Sequence, residues 1–226
     1  MAPPESQLIE YRGVKNDETL KSLTRPILVE VIVGSEEDTL TWHLSQDLLT
    51  HVSPFFKAAL TGNFAEAGSK IVKLPEDNVH AFELFVRWLD DGEIAAPSWV
   101  TSQIYVQAWI LGDKLGCQIF QELALLGLIH GHSYWGIAET TLKAVYDGTP
   151  AGSKIRQWAI DQLRHNALTQ TQTEDLKEFL ISYVRDSPDF ASDVMKAYFD
   201  TRQRGYQPRN PYVCGQDYLE FVPYTN

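Results

Sequence analysis

The run Pro26-Ile27-Leu28-Val29-Glu30-Val31-Ile32-Val33-Gly34 packs β-branched and aliphatic residues around a single charge. Side chains that are stiff at χ1 sit better on a pleated surface than on a helix, so the run predicts a strand. Gly34-Ser35-Glu36-Glu37-Asp38 supplies turn chemistry next. Thr39-Leu40-Thr41-Trp42-His43-Leu44 then alternates polar and apolar, which predicts a second strand, close enough to return as a hairpin. Lys70-Ile71-Val72-Lys73-Leu74, stopped by Pro75, predicts a third. No strand signal of similar strength appears after residue 100. A chain that spends its strand patterning this early must bury a small sheet against helices, the α+β class.

The helical signals are periodic and capped. Asp47-Leu48-Leu49 starts a short helix. At Ser53-Pro54 the Ser caps and the Pro takes the first helical position, ahead of Phe55, Phe56, Ala59 and Leu60, and Thr61-Gly62-Asn63 breaks the pattern. Val79, Phe82, Phe85, Val86 and Leu89 share one helix face, ended by Asp90-Asp91-Gly92, with Phe56, Phe82, Phe85 and Val86 expected in the core. Helical spacing returns over Ile104–Leu111 and Leu115–Leu128, near 135–146 and over 154–166. A helix capped by Thr173 carries Leu176, Phe179, Leu180, Tyr183 and Val184, and one begun by Ser187-Pro188 carries Phe190, Val194, Ala197 and Tyr198. Gly131-His132-Ser133 and Thr149–Ser153 read as loops. The expected organisation is a partly disordered leader over 1–25, a mixed domain over 26–128, an all-helical extension over 129–204 and an irregular tail over 205–226.

Charge narrows the function. Nineteen basic residues face thirty acidic ones, a net charge of −11. Residues 26–97 hold twelve acids against four bases, and 98–226 hold fourteen against eleven. A nucleic-acid surface needs clustered Lys and Arg to release counterions, and an anionic membrane surface needs the same. The densest basic group, Arg202, Arg204 and Arg209, lies in the tail, where it reads as solvated. No uncharged apolar run is long enough for a membrane span, and Met1-Ala2-Pro3-Pro4-Glu5-Ser6 lacks the features of a signal peptide. The two cysteines, Cys117 and Cys214, are too far apart for a disulfide framework, so the expected setting is a reducing compartment, cytoplasm or nucleus.

Motifs for chemistry are scarce. Gly112-Asp113-Lys114-Leu115-Gly116 lacks phosphate-loop spacing, and neither Gly-x-Gly-x-x-Gly nor Gly-x-Ser-x-Gly occurs. His130-Gly131-His132 is the one closely spaced histidine pair, and no further ligands flank it, so loop histidines without metal are expected. Cys117 lies in an apolar helix pattern and reads as a buried small hydrophobe. Asp90-Asp91 and Glu36-Glu37-Asp38 read as solvated turn acids rather than an acid–base pair. The six tryptophans read as core or interface anchors. No catalytic residue, cofactor or metal is expected, which leaves a small enzyme as a remote alternative.

The order of hairpin, Ser53-Pro54-Phe55-Phe56, Thr61-Gly62-Asn63-Phe64-Ala65-Glu66, Ile71-Val72-Lys73-Leu74-Pro75-Glu76-Asp77 and Ala81-Phe82-Glu83-Leu84-Phe85 resembles the BTB/POZ domain. The resemblance spans roughly residues 26–126, including a closing helix pair at Tyr105–Gly112 and Gly116–Ala124. The second half, with Tyr146-Asp147-Gly148-Thr149-Pro150, is similar to the C-terminal portions of fungal BTB proteins. Two positions depart from the family pattern. Ser45-Gln46 stands where the family carries His-Lys or His-Arg, and Leu28 where its first strand often opens with Asp. The charged dimer-interface pocket of zinc-finger BTB proteins, built from that Asp and the basic residue, is therefore missing both members.

What the resemblance implies is a protein–protein interaction module. Phe64-Ala65-Glu66 matches the hydrophobic–x–Glu motif by which adaptors of the family dock a cullin. The implied function is a substrate adaptor for a cullin-type ubiquitin ligase, with Phe64, Ala65 and Glu66 as partner-binding residues. The competing reading of these three residues is an ordinary loop, with Phe64 covering the edge of the core. The alternative at the level of function is a self-associating BTB scaffold without a ligase role. Protein partners and a homo-oligomer are expected, and neither nucleic acid nor membrane.

Overall fold

The computed structural model describes residues 26–35, 38–94, 98–131, 137–169, 174–201 and 218–219. Their elements follow the α+β expectation: a three-stranded mixed sheet, then helices. Strands β1 (Leu28–Val33), β2 (Leu40–Ser45) and β3 (Ile71–Leu74) lie in the order β2-β1-β3. β1 and β2 form the expected antiparallel hairpin, with Val31 opposite Trp42. β3 pairs parallel to β1, with Val31 opposite Val72, and a parallel neighbour requires a crossover connection. Helices α1 (Gln46–Val52), α2 (Pro54–Thr61) and α3 (Ala65–Ser69) lie between β2 and β3 in the chain and supply it. The strand period of two shows in burial: Val29, Val31, Val33, Val72 and Leu74 are buried, while Ile71 and Lys73 are exposed.

Helix α4 (Val79–Asp91) starts where Asn78 accepts a hydrogen bond from Ala81 N at 3.0 Å. It ends at Gly92, whose φ of 76° is the left-handed conformation that favours a residue without Cβ. Phe82, Leu84 and Phe85 are fully buried, and Val86, expected in the core with them, is half-buried. The reason lies in the width of the buried stripe: Ala81, Leu84 and Trp88 join it on the side away from Val86. Phe85 sits at the centre of an aromatic cluster, 5.5 Å from Phe82, 5.7 Å from Trp88 and 5.3 Å from Phe120 between ring centroids. Next along the chain are α5 (Ser102–Leu115) and α6 (Gln118–Gly131). His130 and Gly131, read as a loop, instead close α6.

The later helices are α7 (Glu139–Gly148), α8 (Lys154–Thr169), α9 (Glu174–Asp186) and α10 (Pro188–Thr201). α7 starts four residues later than the pattern near 135 predicts. Ser187 caps α10 as expected, accepting from Phe190 N at 3.4 Å, while Thr173 lies outside the described residues. The chain divides into two compact units at Val100, at Val106 and, within α6, at Ala124. One unit holds the sheet, α1 to α4, and Gln107–Ala124. The other holds Thr101–Val106 and the described residues from Leu125 onward. In the second unit Tyr218, which belongs to the stretch expected to be an irregular tail, is buried and donates to Asp161 Oδ2 at 3.0 Å.

Candidate partner-binding surface at Phe64

The surface is built outward from Ser53. Its side chain caps α2 by accepting from Phe56 N at 3.2 Å and donates to Leu115 O at 2.6 Å, both while fully buried. Pro54 fills the first helical position, and Phe56 and Leu60 turn inward. With α2 thus anchored, its C-terminal end has a fixed direction. Gly62 ends the helix by donating its N–H to Ala58 O at 3.0 Å. A Cβ at Gly62 would lie 2.5 Å from Ala58 O and 3.3 Å from Phe64 Cδ2, so the Phe64 ring packs close over bare backbone there.

Phe64 is 63% exposed and takes the N-cap position of α3 in extended backbone. Ala65 is exposed, and Glu66 stands half-buried in the first turn, where a carboxylate suits the positive end of the helix dipole. A five-residue helix therefore replaces the loop expected here, and Phe64 does not cover the core edge. Lys70 closes the segment: its φ of 58° is left-handed, its N–H reaches Glu66 O at 2.9 Å, and its Nζ donates to Leu60 O at 3.3 Å. What results is an exposed ring beside a partly exposed carboxylate on a short segment pinned at both ends. Such a ring can bury apolar area against a partner while the carboxylate accepts a hydrogen bond.

Those of the other residues singled out in the sequence that are described do not assemble a reactive site. Cys117 is buried, its thiol contacts Val52 O at 3.1 Å, and burial pushes its pKa up to about 12, so it is not a ready nucleophile. His130 is exposed on α6, and no group of three metal-ligating side chains occurs among the described residues. Asp90 and Asp91 are exposed at the end of α4. Cys214, His132, Glu36, Glu37 and the arginines at 202, 204 and 209 lie outside the described residues. Among the described residues no helix is long and apolar enough to cross a membrane.

Sequence reasoning missed Arg156, which organises the helical unit while only 4% exposed. Its guanidinium pairs with Asp189 at 2.9 Å, donates to Tyr146 O at 3.0 Å and to Thr149 O, and sits 4.7 Å over the Tyr146 ring. Its Nε donates to Thr149 Oγ1 at 3.2 Å. The fork geometry satisfies a buried cation from several directions at once. The one available signal was an Arg early in the helical pattern 154–166, which also carries Arg164, and a solvated Arg looks the same there. No family model matches this chain, and no curated protein matches it either.

Proposed function

We propose that the chain is a BTB/POZ-type protein–protein interaction module that serves as a substrate adaptor for a cullin-type ubiquitin ligase inside the cell. The observation that carries this reading is the 63% exposure of Phe64, next to Glu66, on a segment fixed by Ser53, Gly62 and Lys70. Large aromatics left on a surface are costly to solvate and are the usual anchors of interfaces. Phe64 fills a hydrophobic contact in this reading, and Glu66 meets a donor on the cullin. The test is titration of purified cullin against the wild-type chain and a Phe64→Ala, Glu66→Ala double variant. Truncating anchors of this kind costs about 2–4 kcal/mol, so binding should weaken roughly 30-fold or more. Absence of wild-type binding at micromolar concentration overturns the adaptor reading.

A self-associating scaffold is the second reading. It draws on Ile27 and Leu28, 54% and 52% exposed where the central strand begins, and on the exposed Ile71, which pairs with Glu30 on that strand. A mass measurement by light scattering that shows an oligomer lost on Leu28→Asp, with no cullin recovery, would favour it.

A further inference from the structure

The two outer strands of the sheet are guarded differently. β3 carries devices that keep an edge from pairing: Lys73 is exposed, Pro75 follows the strand, and Ser69 Oγ accepts from Ile71 N at 3.3 Å. β2, Leu40-Thr41-Trp42-His43-Leu44-Ser45, carries no acid, base, proline or glycine. The ladder shows which of its main-chain groups are free. Gln46 N donates to Ile27 O at 2.8 Å, and bonds alternate from there, so Val29, Val31 and Val33 bond their partners on β2. Glu30 and Gly34 donate the other way, to Lys70 O and Leu74 O. Thr41, opposite Ile32, and His43, opposite Glu30, therefore turn their N–H and C=O groups away from β1. Among the described residues no strand lies on that side, and no other main-chain group bonds Thr41 or His43 there.

Side chains and charge say what fits this edge. Leu40 is 48% exposed, and Trp42 and Leu44 are half-buried on the core side of the sheet, where Trp42 lies 4.9 Å from Phe82 between ring centroids. A strand laid beside β2 with apolar residues at every second position continues that face. Two residues beyond each end of β2 stands an exposed acid, Asp38 before it and Asp47 after it. A second copy of β2 brings acidic ends against acidic ends, because antiparallel pairing sets Asp38 of each copy near Asp47 of the other. Like charges opposed across a ladder are destabilising, so the edge suits a foreign strand with basic ends.

We propose that the free edge of β2 binds an extended peptide segment with basic ends as a fourth, antiparallel strand. Its alternate apolar residues lie beside Leu40, Trp42 and Leu44, and its Lys or Arg ends lie near Asp38 and Asp47. Main-chain bonds to Thr41 and His43 supply affinity, and the alternation and the end charges supply selectivity. The net charge of −11 draws a basic partner from a distance. The site uses none of the residues of the Phe64 surface and does not depend on cullin docking.

The test is fluorescence anisotropy of the full chain with labelled acetyl-Lys-Thr-Val-Thr-Val-Thr-Val-Thr-Lys-amide at low ionic strength, where charge attraction is least screened. With valines on the core side of an antiparallel ladder, the threonine N–H groups point at β2 and the valine N–H groups point away. N-methylation of the two central threonines should weaken binding about tenfold or more, whereas N-methylation of two valines should leave it unchanged. The peptide with glutamate at both ends should bind about tenfold more weakly. Asp38→Asn with Asp47→Asn should narrow that gap, and Asp90→Asn with Asp91→Asn should not. Thr41→Pro removes an outward N–H and no bond to β1, which an edge strand tolerates, and should weaken binding about tenfold, with circular dichroism confirming the fold. The methylated peptides are read on the unchanged chain, so they decide even if Thr41→Pro fails to fold. Equal affinity of the two methylated peptides would overturn the ladder, and equal affinity of the Lys-ended and Glu-ended peptides would overturn the basic strand as occupant. No binding of the parent peptide at millimolar concentration overturns the site. A light-scattering mass that falls from dimer to monomer on Thr41→Pro would assign the edge to a second copy instead.

Discussion

The two units specify their interiors by different chemistry. In the sheet-bearing unit the largest fully buried side chains are Phe56, Phe82, Phe85 and Phe120, and the rings pack on one another. In the helical unit Trp158 and Phe190 are buried too, but with them go Thr141, Thr149, Arg156, Asp161, Gln162 and Asn166. Apolar burial is non-directional, so a ring cluster gains stability from area and shape. A buried guanidinium is directional: it gains little unless every donor finds its acceptor, and it then selects one arrangement of the helices around it. The comparison teaches that stability in the first unit should respond to volume, and in the second to hydrogen-bond geometry.

The largest expected effect is in the ring cluster. Phe85→Ala removes the side chain shared by Phe56, Phe82, Trp88 and Phe120, and should cost about 3–5 kcal/mol through lost transfer energy and the cavity left behind. Phe85→Leu should recover most of it, because volume decides. A urea midpoint unchanged by Phe85→Ala would mean that this face is not core. Next comes Arg156→Ala, which strands the Tyr146 and Thr149 carbonyls and should cost about 2–3 kcal/mol. Arg156→Lys should recover little, since an ammonium on a different stem cannot span the same fork. Hydrogen exchange locates each loss: protection should fall over 79–91 for Phe85→Ala and over 139–169 for Arg156→Ala. If Arg156→Lys matched wild type, directionality would not be what specifies the helical unit.

The same contrast explains what was legible in the sequence. Ser53-Pro54, the face from Val79 to Leu89 and the hairpin are local patterns of spacing or cap chemistry, and they stand where that chemistry puts them. The parallel partnership of β1 with β3 joins residues about forty apart, and no local period encodes it. Helix α3, Ala65-Glu66-Ala67-Gly68-Ser69, is too short and too small-sided to show a face. Arg156 and Tyr218 were hidden for another reason: a buried polar residue with partners distant in sequence is indistinguishable, residue by residue, from a solvated one. At the candidate surface the residue types were legible, but exposure was not, because the Thr61-Gly62-Asn63 break separates Phe64 from the periodic face that ends at Leu60, so spacing no longer fixes the side it faces. The BTB/POZ resemblance rests on the order of motifs and stays a proposal.

The smallest stability effect is expected at Phe64, and its smallness is what makes it informative. The ring is 63% exposed, so truncation to Ala removes little buried area and opens no cavity. The backbone hydrogen bonds that pin the segment, Ala67 N to Phe64 O at 3.1 Å and Lys70 N to Glu66 O at 2.9 Å, do not depend on the side chain. Phe64→Ala should therefore stay within about 0.5 kcal/mol of wild type in urea unfolding, the range of surface substitutions away from special features. Phe64 and Phe85 are the same residue type, yet the expected costs differ several-fold because one ring faces solvent and the other faces four aromatic neighbours. A loss for Phe64→Ala comparable to that for Phe85→Ala would place Phe64 in the core, and weaker cullin binding in the double variant would then report unfolding rather than a lost anchor. A neutral Phe64→Ala leaves a binding defect with one physical source, the ring itself.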